Sequence, residues 1–239
     1  MRKDCMDRKI KLFSSKQGGL VEYTVPIEHG MVVLDAVIYV LEHFDSSISV
    51  RWNCKAGRCG SCGAEINGVP SLMCKTRLDS INGDIEVLPM KVFPNVKDLV
   101  IDPTDTWHIK KSIPNFKINE QIISKSNDIT ATKNITLYEY DVTRAQEFKR
   151  CIECFLCLDS CHAVRVHKSD YIGPMHVVKT ASLDMNPLDS IDRREFLDKK
   201  GIRFCNVTKC CTEVCPAKIK ITDNAIIPEK ERINDKKVI

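Results

Sequence analysis

Apolar and polar residues alternate on both sides of "SKQGG", in "KIKLF" and "VEYTVPI", between Lys9 and Ile27. A period of two on both arms predicts an antiparallel hairpin with one buried face. Directly downstream, in "MVVLDAVIYVL", Leu34, Val37, Ile38 and Leu41 recur at i, i+3, i+4 and i+7. That is the stripe of an amphipathic helix, placed to cover the hairpin, and Asp35 interrupts it. "CGAEI" and "PSLMC" flank the turn pair Asn67 and Gly68, and "DIEVLP" supplies a last strand to close a small mixed sheet. Pro89, Pro94 and Pro103 then punctuate the chain, so a first domain is expected over residues 1–105 and a second over 106–239.

The second part reads as helical. "TRAQEFKR", with Thr143 as candidate cap, runs into Cys151, while "HVVKTASLDM" and "DSIDRREFLDKKG" follow, the latter stopped by Gly201. Before them, the polar "SKSNDITATKN" is expected as a surface loop and "ITLYEY" as a short extended piece. The expected fold class is α+β, a mixed-sheet domain followed by a mainly helical one built around two cysteine-rich loops.

Composition narrows the chemistry. A net charge of +4 over 239 residues is too mild to argue for nucleic acid. No G-x-G-x-x-G, P-loop or Ser/His/Asp motif points to a substrate transformed by this chain, so no catalytic residue is expected. The outlying number is 13 cysteines, an odd count and clustered. "MRKDCMDRKIKLF" is too charged for a secretory signal and no 18-residue apolar stretch occurs, so a soluble protein of a reducing compartment is expected, its cysteines metal ligands before disulfides.

Cys54, Cys59, Cys62 and Cys74 follow C-x4-C-x2-C-x11-C, the way plant-type ferredoxins hold a 2Fe-2S cluster. Gly57, Gly60 and Gly63 are expected at positive φ, curling the backbone around the core, with Lys55 and Arg58 offsetting its negative charge. A zinc site usually draws on two separated C-x2-C pairs and fits this spacing less well. Cys151, Cys154, Cys157 and Cys161 follow C-x2-C-x2-C-x3-C, a run whose fourth cysteine serves the neighbouring cluster in two-cluster ferredoxins. The same template laid on "CNVTKCCTEVCP" asks for cysteines at 205, 208, 211 and 215, and position 208 is Thr. Exchanging fourth ligands gives a 4Fe-4S set of Cys151, Cys154, Cys157 and Cys215, and a 3Fe-4S set of Cys161, Cys205 and Cys211. Cys210 lies two residues off the template and is expected as a packed spare thiol; the rival is a fourth ligand that makes the third cluster 4Fe-4S.

The three cysteine blocks, in this order, together with "RWNCKAGRCGSCGAEING", "LMCKTRLD" and the tail "IKITDNAIIPEKER", resemble the iron-sulfur subunit of succinate dehydrogenase and fumarate reductase. The resemblance implies a ferredoxin-like β-grasp domain joined to a helical two-cluster domain. It implies a flavoprotein partner carrying FAD, a membrane anchor, and electrons passing from FAD through the clusters of Cys54 and Cys151 to that of Cys161 and on to quinone. The location implied is cytoplasmic and peripheral, on the inner face of the cell membrane.

Three positions depart from the common pattern of that family: His162, Val166 and Asn206 stand where many members carry Pro, Trp and His at the quinone pocket. His162, Arg165, His167 and Asn206 remain polar candidates for the quinone vicinity, with helix capping or bonds to cluster sulfur as their alternative role. Two further readings bear on function. One is a soluble carrier linking a flavoprotein to a non-quinone acceptor of thiol/disulfide type. Another is a zinc-stabilised scaffold. The histidines at 29, 43, 108 and 176 are expected to be structural or exposed.

Overall fold

The alternating segments do form a hairpin in the computed structural model, which describes residues 6–119 and 138–235. Strand β1 (Met6–Ser14) pairs antiparallel with β2 (Gly19–Ile27), and Ile10, Leu12 and Val25 bury their side chains on one face. Helix α1 (Val33–His43) packs there through Leu34, Val37 and Val40. Asp35, the break in the apolar run, accepts the Val32 N–H at 3.0 Å and so satisfies a donor that the helix start leaves open. Strands β3 (Gly63–Ile66) and β4 (Val69–Leu72) are joined by Asn67 and Gly68, both at positive φ as a two-residue hairpin turn requires.

"DIEVLP" forms β5 (Ile85–Leu88), but it does not close the sheet. It lies between β1, to which it is parallel, and β3, in the order β2-β1-β5-β3-β4. Its Ile85 and Val87 are fully buried. Two short strands follow that alternation did not predict, β6 (Asn95–Lys97) and β7 (Val100–Ile101).

The remainder is helical: α2 (Thr104–Ser112), α3 (Glu139–Lys149), α4 (Leu156–Asp159), α5 (His162–Val166), α6 (Pro174–Asp184), α7 (Arg194–Lys199) and α8 (Cys210–Glu213). A π-helical turn, Ile221–Ile226, runs into α9 (Ile227–Asp235). Thr143 lies inside α3 rather than capping it, because the helix begins four residues earlier, where Tyr140 of "ITLYEY" is already helical. The rest of that segment, 135–137, and the loop over 124–134 lie outside the described residues. The helix expected over "DSIDRREFLDKKG" shrinks to α7. Asp189 accepts the Ile191 N–H at 3.0 Å and Asp192 the Arg194 N–H at 3.0 Å, local bonds that compete with helix. Arg193 is fully buried there, paired with Asp184 and Asp189 at 2.7 Å each.

The two halves share a seam. The Val92 N–H donates across it to Asp159 Oδ1 at 3.1 Å, and on its helical side α2 is tied down by Lys110, which pairs with Glu153 at 2.6 Å, and by His176, which sits between the carbonyls of Ile172 and Thr106. His176 is therefore a structural histidine, as expected. Among the described residues, no helix is long and apolar enough to cross a membrane.

Candidate iron-sulfur centres

The first loop runs from Cys54 to Cys62 and ends on β3. Three backbone amides, of Ala56, Arg58 and Cys59, point at Cys54 Sγ at 3.3–3.4 Å. Ser61 Oγ lies 3.0 Å from Cys59 Sγ; burial alone would raise the Cys59 thiol, but bonds with Ser61 and Cys54 draw it down to about 6. Cys62 is buried beside Cys74, and burial pushes it the other way. Gly57 and Gly60 take positive φ, whereas Gly63 does not; Lys55 adopts it instead. Gly63 is needed for closeness, since a Cβ there would lie 3.2 Å from the Cys154 carbonyl oxygen. Lys55 Nζ sits 4.8 Å from the centre of the Trp52 ring, a cation–π contact.

The second and third loops are copies of one backbone. Cys154 stands between Glu153 and Phe155, at φ 55° and 66°, and Thr208 stands between Val207 and Lys209, both at φ 64°. A β-branched residue at positive φ is an outlier that only surrounding structure sustains. After each pair a single helical turn opens, α4 and α8, with Cys157 and Cys211 as its second residue. The third loop thus keeps the shape of a ligand loop around a threonine.

The described cysteines are all unpaired by disulfides, and they gather in sets. Cys151, Cys154, Cys157 and Cys215 line one cavity, closed by apolar side chains such as Met175, Val178 and Ile221. Cys161, Cys205 and Cys211 line another with Tyr171. Cys157 and Cys161 are four residues apart, roughly 6 Å of rise along a helix, and line different cavities. Cys211 and Cys215 repeat this in the opposite sense. Burial raises the thiols of Cys154, to about 12, and of Cys157 and Cys211, the last to about 11, so apolar walls alone disfavour the anionic form. Iron would supply the compensating charge, and a soft four-thiol donor set around a void fits a 4Fe-4S core. Among the described residues, no three His, Cys, Asp or Glu side chains are arranged to hold a single ion. The thiols surround spaces rather than points.

Cys210 departs from the expectation of a packed bystander. Its thiol lines the third cavity, receives the Thr208 hydroxyl at 3.6 Å and hydrogen-bonds with Cys161. The bond from Cys161, followed by those from Thr208 and His162, draws it down to about 5 despite burial.

The four polar candidates near this cavity divide. His162 Nε2 and Asn206 Oδ1 meet at 3.0 Å, both exposed and on the cavity rim, whereas His167 stacks on Phe204 with ring centres 4.3 Å apart. Arg165 turns to the domain seam: Nε donates to the Asp159 carbonyl at 2.9 Å, and the guanidinium pairs with the fully buried Glu65 at 3.3 Å. Glu65 is a hundred residues away in sequence, and only its position in the middle of an apolar strand hinted at a buried partner.

A mixed-sheet domain carrying one thiol loop, docked on a helical domain carrying two interlocked ones, defines an iron-sulfur electron-transfer protein. Residues 9–108 match the 2Fe-2S iron-sulfur cluster binding domain family and residues 147–219 the 4Fe-4S dicluster domain family. The chain is 31% identical to the fumarate reductase iron-sulfur subunit of Mycobacterium tuberculosis over 81% of its own length and 78% of that protein. It is 32% identical to an iron-sulfur protein of Methanococcus maripaludis over 91% of its length, but spans only 42% of that relative. Among solved structures it resembles a chain of the Mycobacterium smegmatis Sdh1 complex in the apo form, with a TM-score of 0.89, 42% identity and 98% of each chain covered. The chain belongs to the iron-sulfur subunits of the succinate dehydrogenase and fumarate reductase family.

Proposed function

We propose that this chain relays electrons in a succinate:quinone oxidoreductase or fumarate reductase, between an FAD-carrying flavoprotein and quinone at a membrane anchor. The clusters would supply one-electron chemistry, with 2Fe-2S at Cys54, Cys59, Cys62 and Cys74, 4Fe-4S at Cys151, Cys154, Cys157 and Cys215, and 3Fe-4S at Cys161, Cys205 and Cys211. The observation that carries this reading is the serial contact of the thiol loops. Gly60 of the first touches Cys154 of the second, and the second and third exchange a cysteine through α4 and α8. The polypeptide's own work is to hold the loops at fixed separation, exclude water from the cavity of Cys151, Cys154, Cys157 and Cys215 with apolar walls, and aim amides at sulfur. His162 and Asn206, exposed at the rim of the third cavity, are the groups offered to a quinone, and the proposed location is peripheral, on the cytoplasmic face of the membrane.

Purification of the native complex with an assay of succinate-dependent quinone reduction tests this. Recovery with hydrophobic anchor subunits and quinone activity supports it. A fully soluble complex that reduces thiol/disulfide-type acceptors and not quinone replaces it with the carrier reading. One observation favours a second reading of the third centre: the Cys210 thiol beside Cys161 and Thr208 would complete a four-thiol set for 4Fe-4S.

A further inference from the structure

Resting on the reading of the third cavity just given, we propose that the Tyr171 hydroxyl donates a hydrogen bond to the sulfur of the group held there and raises its reduction potential. Tyr171 is 2% exposed, and its hydroxyl is buried without a hydrogen-bond partner among the described residues. A buried hydroxyl left unpaired loses its bond to water and gains none in return. Its place in the fold therefore calls for an acceptor that the described residues do not provide.

The surroundings say which acceptor. Tyr171 lines the same cavity as Cys161, Cys205 and Cys211. Other polar side chains at the cavity are committed elsewhere: Thr222 Oγ1 faces Cys211 Sγ at 3.4 Å and Thr212 at 3.1 Å, and His162 faces Asn206.

The ring cannot easily turn away. The Tyr171 N–H is bonded to the His167 carbonyl at 2.9 Å and the next amide, of Ile172, to the Lys200 carbonyl at 3.1 Å. Next to that carbonyl, Gly201 presses so close to the segment that a Cβ there would lie 1.9 Å from the Asp170 carbonyl oxygen. A pinned backbone and a buried ring make the hydroxyl a fixed donor. Cluster sulfur gains negative charge on reduction, so a fixed donor binds the reduced state more tightly and moves the potential upward. Tyr171 acts through the sulfur it orients toward and takes no part in substrate chemistry.

The test is Tyr171→Phe in the full chain within its native complex, with the third centre followed by electron paramagnetic resonance during a redox titration. Loss of a donor with a tenfold preference for the reduced state lowers the midpoint by ~59 mV for a one-electron couple, with iron and sulfide content unchanged. An unmoved midpoint overturns the inference. If the phenylalanine variant loses the centre, site-specific 3-fluorotyrosine at 171 keeps the shape and makes a stronger donor; its midpoint rises, and no shift there overturns the inference equally. A wild-type complex without any third-centre signal overturns the reading of the site and this inference together, whereas a signal with an unmoved midpoint overturns this inference alone.

Discussion

Gly60 and Cys154 meet across the seam between the two domains: a Cβ on Gly60 would lie 2.9 Å from the Cys154 Cα and 2.8 Å from the Ile152 carbonyl oxygen. The backbone at Gly60 is also left-handed, at φ 71°. Two thiol loops thus touch through bare backbone, with no side chain between them, and side-chain bonds along the seam, such as Arg165 with Glu65, hold them there.

Gly60→Ala is therefore expected to strain its own loop and push the two loops apart. A left-handed alanine and a backbone clash together cost on the order of 1–3 kcal/mol. Thermal unfolding of the loaded protein should show the loss, and electron transfer from the first centre to the second should slow. A variant with wild-type stability and rate would mean that the contact is not tight.

Thr208→Cys is expected to complete the third ligand set, because Val207 and Lys209 already hold the loop in the conformation that presents Cys154 in its twin. The oxidised three-iron signal in electron paramagnetic resonance should be largely lost and the iron content should rise. Retention of the full signal would show that the threonine side chain points away from the open corner.

Cys210→Ser discriminates between the two readings of the native third centre. With Cys161, Cys205 and Cys211 as the ligands, the three-iron signal of the oxidised protein persists in the variant at wild-type intensity. Appearance of that signal only in the variant would identify Cys210 as a native ligand.

His162→Ala is expected to slow quinone reduction while succinate oxidation with an artificial dye stays intact, since the imidazole lies exposed at the rim of the third cavity and hydrogen-bonded to Asn206. Parallel loss of both activities would remove His162 from the quinone vicinity.

The pH dependence of stability should carry the signature of Glu229. It is fully buried, and burial followed by the charge of Asp184 raises it to about 7 in spite of Arg232. Folded chain keeps this proton where unfolded chain, with an ordinary glutamate, releases it. The stabilisation is present below about pH 4.5 and is lost as pH rises through 7. Glu229→Gln should remove that slope, gaining on the order of 1–3 kcal/mol relative to wild type between pH 5 and pH 8. Denaturant titrations of both proteins at the two pH values check it, and parallel curves would contradict it.

Much of this was legible in the sequence because it was local. The hairpin and α1 announce themselves by period, since Ile10, Leu12, Leu34 and Val37 repeat at the spacing of their elements. The ligand loops announce themselves by cysteine spacing. What spacing hides is non-local pairing. Arg165 looks like a free cation beside a cluster until the fold brings Glu65 to it from β3. The central place of β5 depends on strand order, which no period encodes. Cys210 is off the template by count, yet a one-turn helix rotates its thiol into the cavity.

The exchange of Cys161 and Cys215 between the two helical loops also bears on maturation. The first loop carries all four of its thiols within Cys54 to Cys74 and can be filled as a unit. On the proposed ligand sets the other two cannot: each is one cysteine short until the opposite loop, more than forty residues along the chain, has docked against it. Neither of those cavities would then be completed without assembling the other.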